Sequence, residues 1–159
     1  IRDARQSRLD ELFAMQTKAN LEDVLAILFM PLEELTGEKR GNLRNYVQML
    51  AEVTIRGDER STAIVERFYD PSAEHFIKAF RKVVPSLSRE NASWAYLFAI
   101  GARMQAHAPN NRAARLIGGN RTTPPSAYKL LVPFVAAGIQ AIASKTAKRD
   151  GKAAADDQS

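Results

Sequence analysis

The sequence predicts an all-α protein built as a bundle of about six helices. Apolar residues recur three or four positions apart along most of the chain, as they do on the buried face of a helix. Typical helix-starting and helix-ending residues separate these stretches, and no segment alternates apolar and polar residues as a strand does. With 159 residues, of which 45% are hydrophobic, the chain is long enough to bury the core of one ordinary domain.

Helix-starting residues divide the first half of the chain. Asn20, Asn42 and Asp58 are residue types that accept a hydrogen bond from the first turn of a helix, so each is predicted to precede one. The predicted helices before residue 86 cover residues 3–18, 20–30, 42–56 and 58–84.

Prolines and glycines mark the expected ends of these helices. Pro31 should end the second helix near Met30, because a proline disturbs the helix that precedes it. Gly57 and Pro85 should stop the next two. The pair Asp70-Pro71 lies inside the longest stretch and predicts a kink or a restart.

The segment from Ser88 to His107 predicts a helix that is apolar on two faces. One face carries bulky side chains such as Trp94 and Phe98, and the other carries the alanines Ala95, Ala99, Ala102 and Ala106. Such a helix must be covered from two directions. Either it is the central core helix of a monomer, or its bulky face fills the core and its alanine face meets a second copy.

The last third contains one connection and one long helix. Residues 109–125 are rich in Asn, Arg, Gly and Thr and predict a surface connection with a short helical turn at 112–117. A final helix starts at Thr123 or Ser126. Residues 144–159 have no apolar stripe and are expected to form a disordered tail.

Composition excludes several classes of function. The net charge is +5, but basic residues alternate with acidic ones along the chain, which favours solubility over a nucleic-acid surface. The absence of cysteine excludes disulfides and thiolate sites, and it fits a cytoplasmic location. The longest apolar run, 130–143, is too short to span a membrane.

No motif indicates an active site, a metal or a cofactor. His75 and His107 have no carboxylate at metal-ligand spacing. The segment from Gly118 to Thr123 is glycine-rich but lacks the lysine and the preceding strand of a phosphate-binding loop. The sequence therefore predicts a protein that is not an enzyme.

Bulky apolar side chains are abundant on the predicted helices, and they have two interpretations. They can simply fill the core, or they can surround a cavity that binds a small apolar molecule. Tyr46, Tyr69, His75 and Arg103 would be its polar anchors. The candidate pocket residues are Phe29, Met30, Tyr46, Met49, Phe68, Phe76, Phe80, Trp94 and Phe98.

The order of short motifs resembles the regulatory domain of TetR-family transcription factors over roughly residues 1–143. The motifs are Leu-Asp-Glu-Leu at 9–12, Phe-Met-Pro-Leu at 29–32, Val-Val-Pro-Ser-Leu-Ser at 83–88, Phe-Ala-Ile-Gly-Ala at 98–102, Gly-Gly at 118–119 and Val-Ala-Ala-Gly-Ile at 135–139. Within that family, the chain looks most similar to the branch that senses fatty-acid or acyl-type ligands.

This resemblance implies a TetR-type C-terminal domain that binds an effector and forms a homodimer through its last two long helices. Operator DNA would be read only by an N-terminal helix-turn-helix domain, which is missing upstream of residue 1; the start at Ile1 fits the inside of a longer protein. The implied dimer residues are Ala95, Ala99, Ala102, Ala106, Tyr128, Leu131, Val135, Gly138 and Ile142.

The expected function is therefore that of a regulatory domain in a repressor that a small apolar ligand releases from DNA. Two alternatives stay open: a helical adaptor that binds no ligand, and a small helical enzyme.

Overall fold

The computed structural model describes residues 2–15, 18–30, 49–107, 112–118 and 124–156. These residues form eight helices and no strand, which confirms the predicted all-α class. The helices are α1 (Arg2–Met15), α2 (Leu21–Phe29), α3 (49–56), α4 (Glu59–Phe68), α5 (Asp70–Val83), α6 (Arg89–His107), α7 (Arg112–Ile117) and α8 (Pro124–Asp156). The described residues contain more helices than the six predicted because one stretch splits in two and the short turn at 112–117 is a helix.

Three of the predicted helix starts are confirmed by their hydrogen bonds. The side chains of Asn20, Asp58 and Ser88 each accept a hydrogen bond from the backbone N–H three residues later, at 2.9, 2.9 and 3.1 Å. Each bond gives a partner to an amide that the first turn of a helix cannot satisfy itself. The predicted start at Asn42 lies outside the described residues.

The described helix ends also follow the sequence. Met30, which precedes a proline, leaves the helical conformation with ψ 130°, and α2 ends at Phe29. Gly57 takes a positive φ of 66° after α3, a conformation that favours glycine. Tyr69 separates α4 from α5, so the interruption predicted at Asp70-Pro71 is a restart.

Helix α2 lies at the centre of the fold. It packs against α1, α5 and α8, while α6 packs against α5 and α8. Fully buried side chains from these helices form the core, among them Leu25 of α2 with Phe76 and Phe80 of α5. Apolar side chains make up this core, as the composition of these faces predicts.

The C-terminal end differs from its prediction. Helix α8 continues to Asp156, whereas the absence of an apolar stripe had predicted a disordered tail from residue 144. Alanine and lysine are the commonest residues of this segment, and both are strong helix formers, which favours a helical backbone. Within the part of the chain that the structure describes, no helix is long and apolar enough to cross a membrane.

Candidate functional site

Helix α6 turns its alanines toward its own chain. Ala95 and Ala99 are almost completely buried, and they share the core with Leu131, Val135 and Ile139 of α8. Small side chains at these positions let α6 and α8 approach closely. The alanine face is therefore the contact between the two longest helices of one chain.

The opposite face of α6 carries large apolar side chains that the described chain leaves more than half exposed. Trp94, Leu97 and Phe98 are 52%, 54% and 61% exposed. The rings of Trp94 and Phe98 stack with their centroids 5.8 Å apart. Gly101 lies one turn further and is exposed as well. We call these four residues the α6 stripe.

Helix α8 has a matching exposed stripe beside its buried face. Leu130 and Phe134 are 68% and 72% exposed, and Ala137, Gly138 and Ala141 follow at helical spacing. We call these five residues the α8 stripe. Two helices that pack together thus each expose an apolar stripe, and exposed apolar surface of this kind usually marks a site of interaction.

Most of the described residues that were predicted for the dimer lie on the faces of α6 and α8 that pack within one chain. The fully buried ones are Ala95, Ala99, Leu131 and Val135. Three more, Ala102, Ala106 and Ile142, are partly buried against the same core. Gly138 is exposed, and the side chain of Tyr128 lies outside the described part. A side chain buried in its own chain offers no surface to a partner. Among the described candidates, Gly138 alone belongs to an exposed stripe.

The predicted pocket residues fall into two groups. Phe29, Phe76 and Phe80 meet in the core, and Met30 lies partly buried at the end of α2. Met49, Phe68, Trp94 and Phe98 are each at least half exposed, so in the single chain they do not line an enclosed cavity. Helical spacing predicts that an apolar side chain lies on an apolar face of its helix, but it does not determine whether that face points to the core. Tyr46 lies outside the described residues.

Polar side chains approach the core where α2, α5 and α6 meet. Tyr96 and Arg103 are partly buried and lie two turns apart on one face of α6, with Ile100 between them. The Tyr96 ring stacks on that of Phe76, with centroids 6.4 Å apart. Arg103 Nη1 donates a hydrogen bond of 3.2 Å to the Leu28 carbonyl oxygen. We call this region the α2/α5/α6 junction.

Arg103 is one of the polar anchors suggested by the sequence, whereas Tyr96 and Arg5 were not singled out. Arg5 is only 8% exposed, and its Nη2 donates to the Met30 carbonyl oxygen at 3.2 Å. Its spacing from Leu9 and Leu12 places it in the apolar phase of α1, and this pattern could have revealed it. Of the other suggested anchors, Tyr69 is partly buried and His75 is exposed.

The comparisons with known proteins agree with this architecture. A family model described as "Tetracyclin repressor-like, C-terminal domain" matches residues 26–138, more than half of the chain. The matched span begins inside α2 and ends inside α8, and it contains the whole α6 stripe and most of the α8 stripe. No curated protein and no solved structure gives a significant match.

Proposed function

Since the chain belongs to the family of tetracycline repressor-like C-terminal domains, and is thus a regulatory domain of a TetR-type regulator, we propose that it senses a small apolar effector and forms a homodimer. DNA would be read by a helix-turn-helix domain upstream of this chain, and the effector would release the protein from its operator. The proposal has two parts, a dimer surface and an effector site, and each has its own support.

The observation that carries the proposal is the pair of exposed stripes on α6 and α8. Four aromatic or leucine side chains, Trp94, Phe98, Leu130 and Phe134, are more exposed than apolar side chains of this size usually are in a single folded chain. A second copy would bring the same two helices. The α6 and α8 stripes of one copy would then pack against those of the other about a two-fold axis. Burial of these side chains would drive the association.

Two glycines support close approach of the second copy at these stripes. Gly101 and Gly138 are both exposed, and a Cβ added at either one would meet no atom within 4 Å in the single chain. Neither glycine is needed for backbone conformation, because each lies inside a regular helix. The presence of glycine at these two positions is therefore better explained by a partner helix that packs on them.

The effector site belongs at the α2/α5/α6 junction. Phe29 and Phe76 are buried in the apolar core beside this junction, while the partly buried Tyr96 and Arg103 would supply a few polar groups. Small-molecule sites typically combine these two features, because apolar contacts provide affinity and polar contacts fix the orientation of the ligand. This composition favours an amphipathic molecule, either an acyl chain or an aromatic acid.

Effector binding would act by shifting a population. A ligand that prefers one arrangement of the helices stabilises that arrangement in both copies, and the distance between the upstream DNA-reading units changes with it.

Effector sensing is tested by thermal denaturation with a panel of acyl carboxylates and aromatic acids. We expect some members to raise the melting temperature, because a ligand that binds only the folded state stabilises it. Ile100→Trp should abolish the shift by filling the junction, whereas Ile55→Trp, the same change on an exposed isoleucine of α3, should preserve it. If no member of the panel shifts the wild type, effector sensing is wrong.

A further inference from the structure

Arginines from two different helices bind the last turn of α2. Arg5 of α1 donates to the Met30 carbonyl oxygen, and Arg103 of α6 donates to the Leu28 carbonyl oxygen, both at 3.2 Å. The two arginines are 25 and 75 residues away from their acceptors along the chain. Carbonyl groups at the end of a helix are those that the helix itself cannot satisfy, so they readily accept such donors.

The burial of Arg5 makes its bond important. Arg5 as a whole residue is 8% exposed, and its Nε is buried without a hydrogen bond to any described residue, so the bond that Nη2 makes within the protein is all the more needed in place of water. Bonds from a charged donor are stronger than those between neutral groups. The bond to the Met30 carbonyl oxygen therefore helps to hold α1, which also packs against α2 and α5.

The two arginines connect helices that take part in different packing contacts. Helix α1 packs against α2 and α5, whereas α6 packs against α5 and α8 and carries both its exposed stripe and the junction residues. Leu28 and Met30 are separated by a single residue, so one acceptor carbonyl cannot move far without the other.

We propose that this two-arginine clamp couples the position of α1 to that of α6. A shift of α6 that draws Arg103 away from Leu28 loosens the last turn of α2, and Arg5 then loses its fixed acceptor at Met30. The next step rests on the proposed function. An effector bound beside α6 would change, through the clamp, the position of α1, the helix closest to the upstream DNA-reading unit.

The clamp is tested by hydrogen–deuterium exchange of the purified protein, followed peptide by peptide. In Arg103→Met, we expect the amides of α1 to exchange about tenfold faster, a change typical of one lost charge-assisted bond, although Arg103 lies on α6. The matched control is Arg81→Met, because Arg81 Nε also donates to a backbone carbonyl, that of Leu87, at 3.4 Å. This control should leave the exchange of α1 unchanged.

Two further variants separate coupling from general destabilisation. Arg103→Lys keeps the charge and can still donate one bond, so it should give an intermediate effect, and it serves as the test if Arg103→Met fails to fold. In an Arg5→Met background, Arg103→Met should cause no additional change in α1, because the link to that helix is already broken.

The clamp is overturned if either Arg103 variant speeds exchange only in α6 and at the end of α2 while α1 remains as in the wild type. It is also overturned if the effects of Arg5→Met and Arg103→Met on α1 simply add. The measurement needs neither effector nor DNA, so the clamp and the effector site can fail independently of each other.

Discussion

Single residues fix where several helices of this chain begin, and these were the features most easily predicted from the sequence. At Asn20, the side chain accepts the Asp23 N–H while the Asp23 carboxylate accepts the Asn20 N–H at 3.0 Å, so two amides are satisfied reciprocally. All atoms involved lie within four residues of chain. A prediction of this kind needs no knowledge of the tertiary fold.

Asp58, which caps α4, should make the start of that helix sensitive to acid. The Ser61 backbone N–H and then the Ser61 hydroxyl donate to its carboxylate, and they hold the pKa of Asp58 below its ordinary value. A carboxylate with a lowered pKa stabilises the folded state above the pKa of the unfolded chain, about 3.9, and this contribution is lost as the pH falls through the folded pKa.

Thermal melting from neutral to acidic pH, compared between the wild type and Asp58→Asn, measures this contribution. Asparagine keeps the cap but does not titrate, so the stability difference between the two proteins should be constant near neutral pH and should shrink in strong acid. Parallel curves over the whole range would show that the Asp58 cap does not titrate with folding.

At the scale of the element, helix α6 shows what an apolar pattern in the sequence can predict and what it cannot. The period of apolar residues correctly indicated a helix with two apolar faces, but it assigned Trp94 and Phe98 to the interior and Ala95 and Ala99 to the partner. In the structure, Ala95 and Ala99 are buried within their own chain, whereas Trp94 and Phe98 are more than half exposed. Periodicity reports that a face is apolar, whereas the choice between its possible neighbours depends on packing with α8, which is distant in sequence.

Replacing Gly138 on α8 by alanine should stabilise the helix of a single chain but weaken the dimer. In a single chain, Gly138→Ala should stabilise the helix by about 1 kcal/mol, because alanine is the better helix former and the added Cβ meets no atom within 4 Å. If a second copy packs on Gly138, the same methyl group occupies the space of the partner helix and weakens the dimer.

Analytical ultracentrifugation of Gly138→Ala should therefore show dissociation at higher concentration than in the wild type, by about tenfold for a loss of about 1.4 kcal/mol. Gln140→Ala is the matched control: Gln140 is exposed on the same helix but points away from the α8 stripe, and the change also favours helix. Unchanged association of Gly138→Ala would place Gly138 outside the interface.

At the scale of the whole molecule, the sequence predicted the class of fold and the family but not the arrangement that positions the site. The all-α class and the TetR-like domain are both confirmed. The central place of α2 and the clamp at its end could not be predicted, since Arg5 and Arg103 reach their acceptors through a tertiary fold. Four of the nine predicted pocket residues lie at least half exposed for the same reason.

Dimerisation through the two stripes predicts that stability depends on protein concentration. A second copy binds the folded chain and not the unfolded one, so each tenfold rise in concentration should stabilise the dimer by about 1.4 kcal/mol, and the melting temperature should rise with it. The variant Phe98→Glu/Phe134→Glu places a charge on each stripe. It should have the mass of one chain, keep its helical circular dichroism, and melt at a temperature independent of concentration.

A charge on an exposed apolar residue elsewhere separates this effect from a general loss of stability. Ile55 of α3 is 78% exposed, so Ile55→Glu should remain a dimer and keep the concentration dependence of the wild type. The double glutamate variant replaces side chains that the folded chain leaves exposed, so the monomer itself loses little packing. The stripes do not pair two copies of this chain if the double variant stays dimeric. The same conclusion follows if the melting temperature of the wild type does not depend on protein concentration.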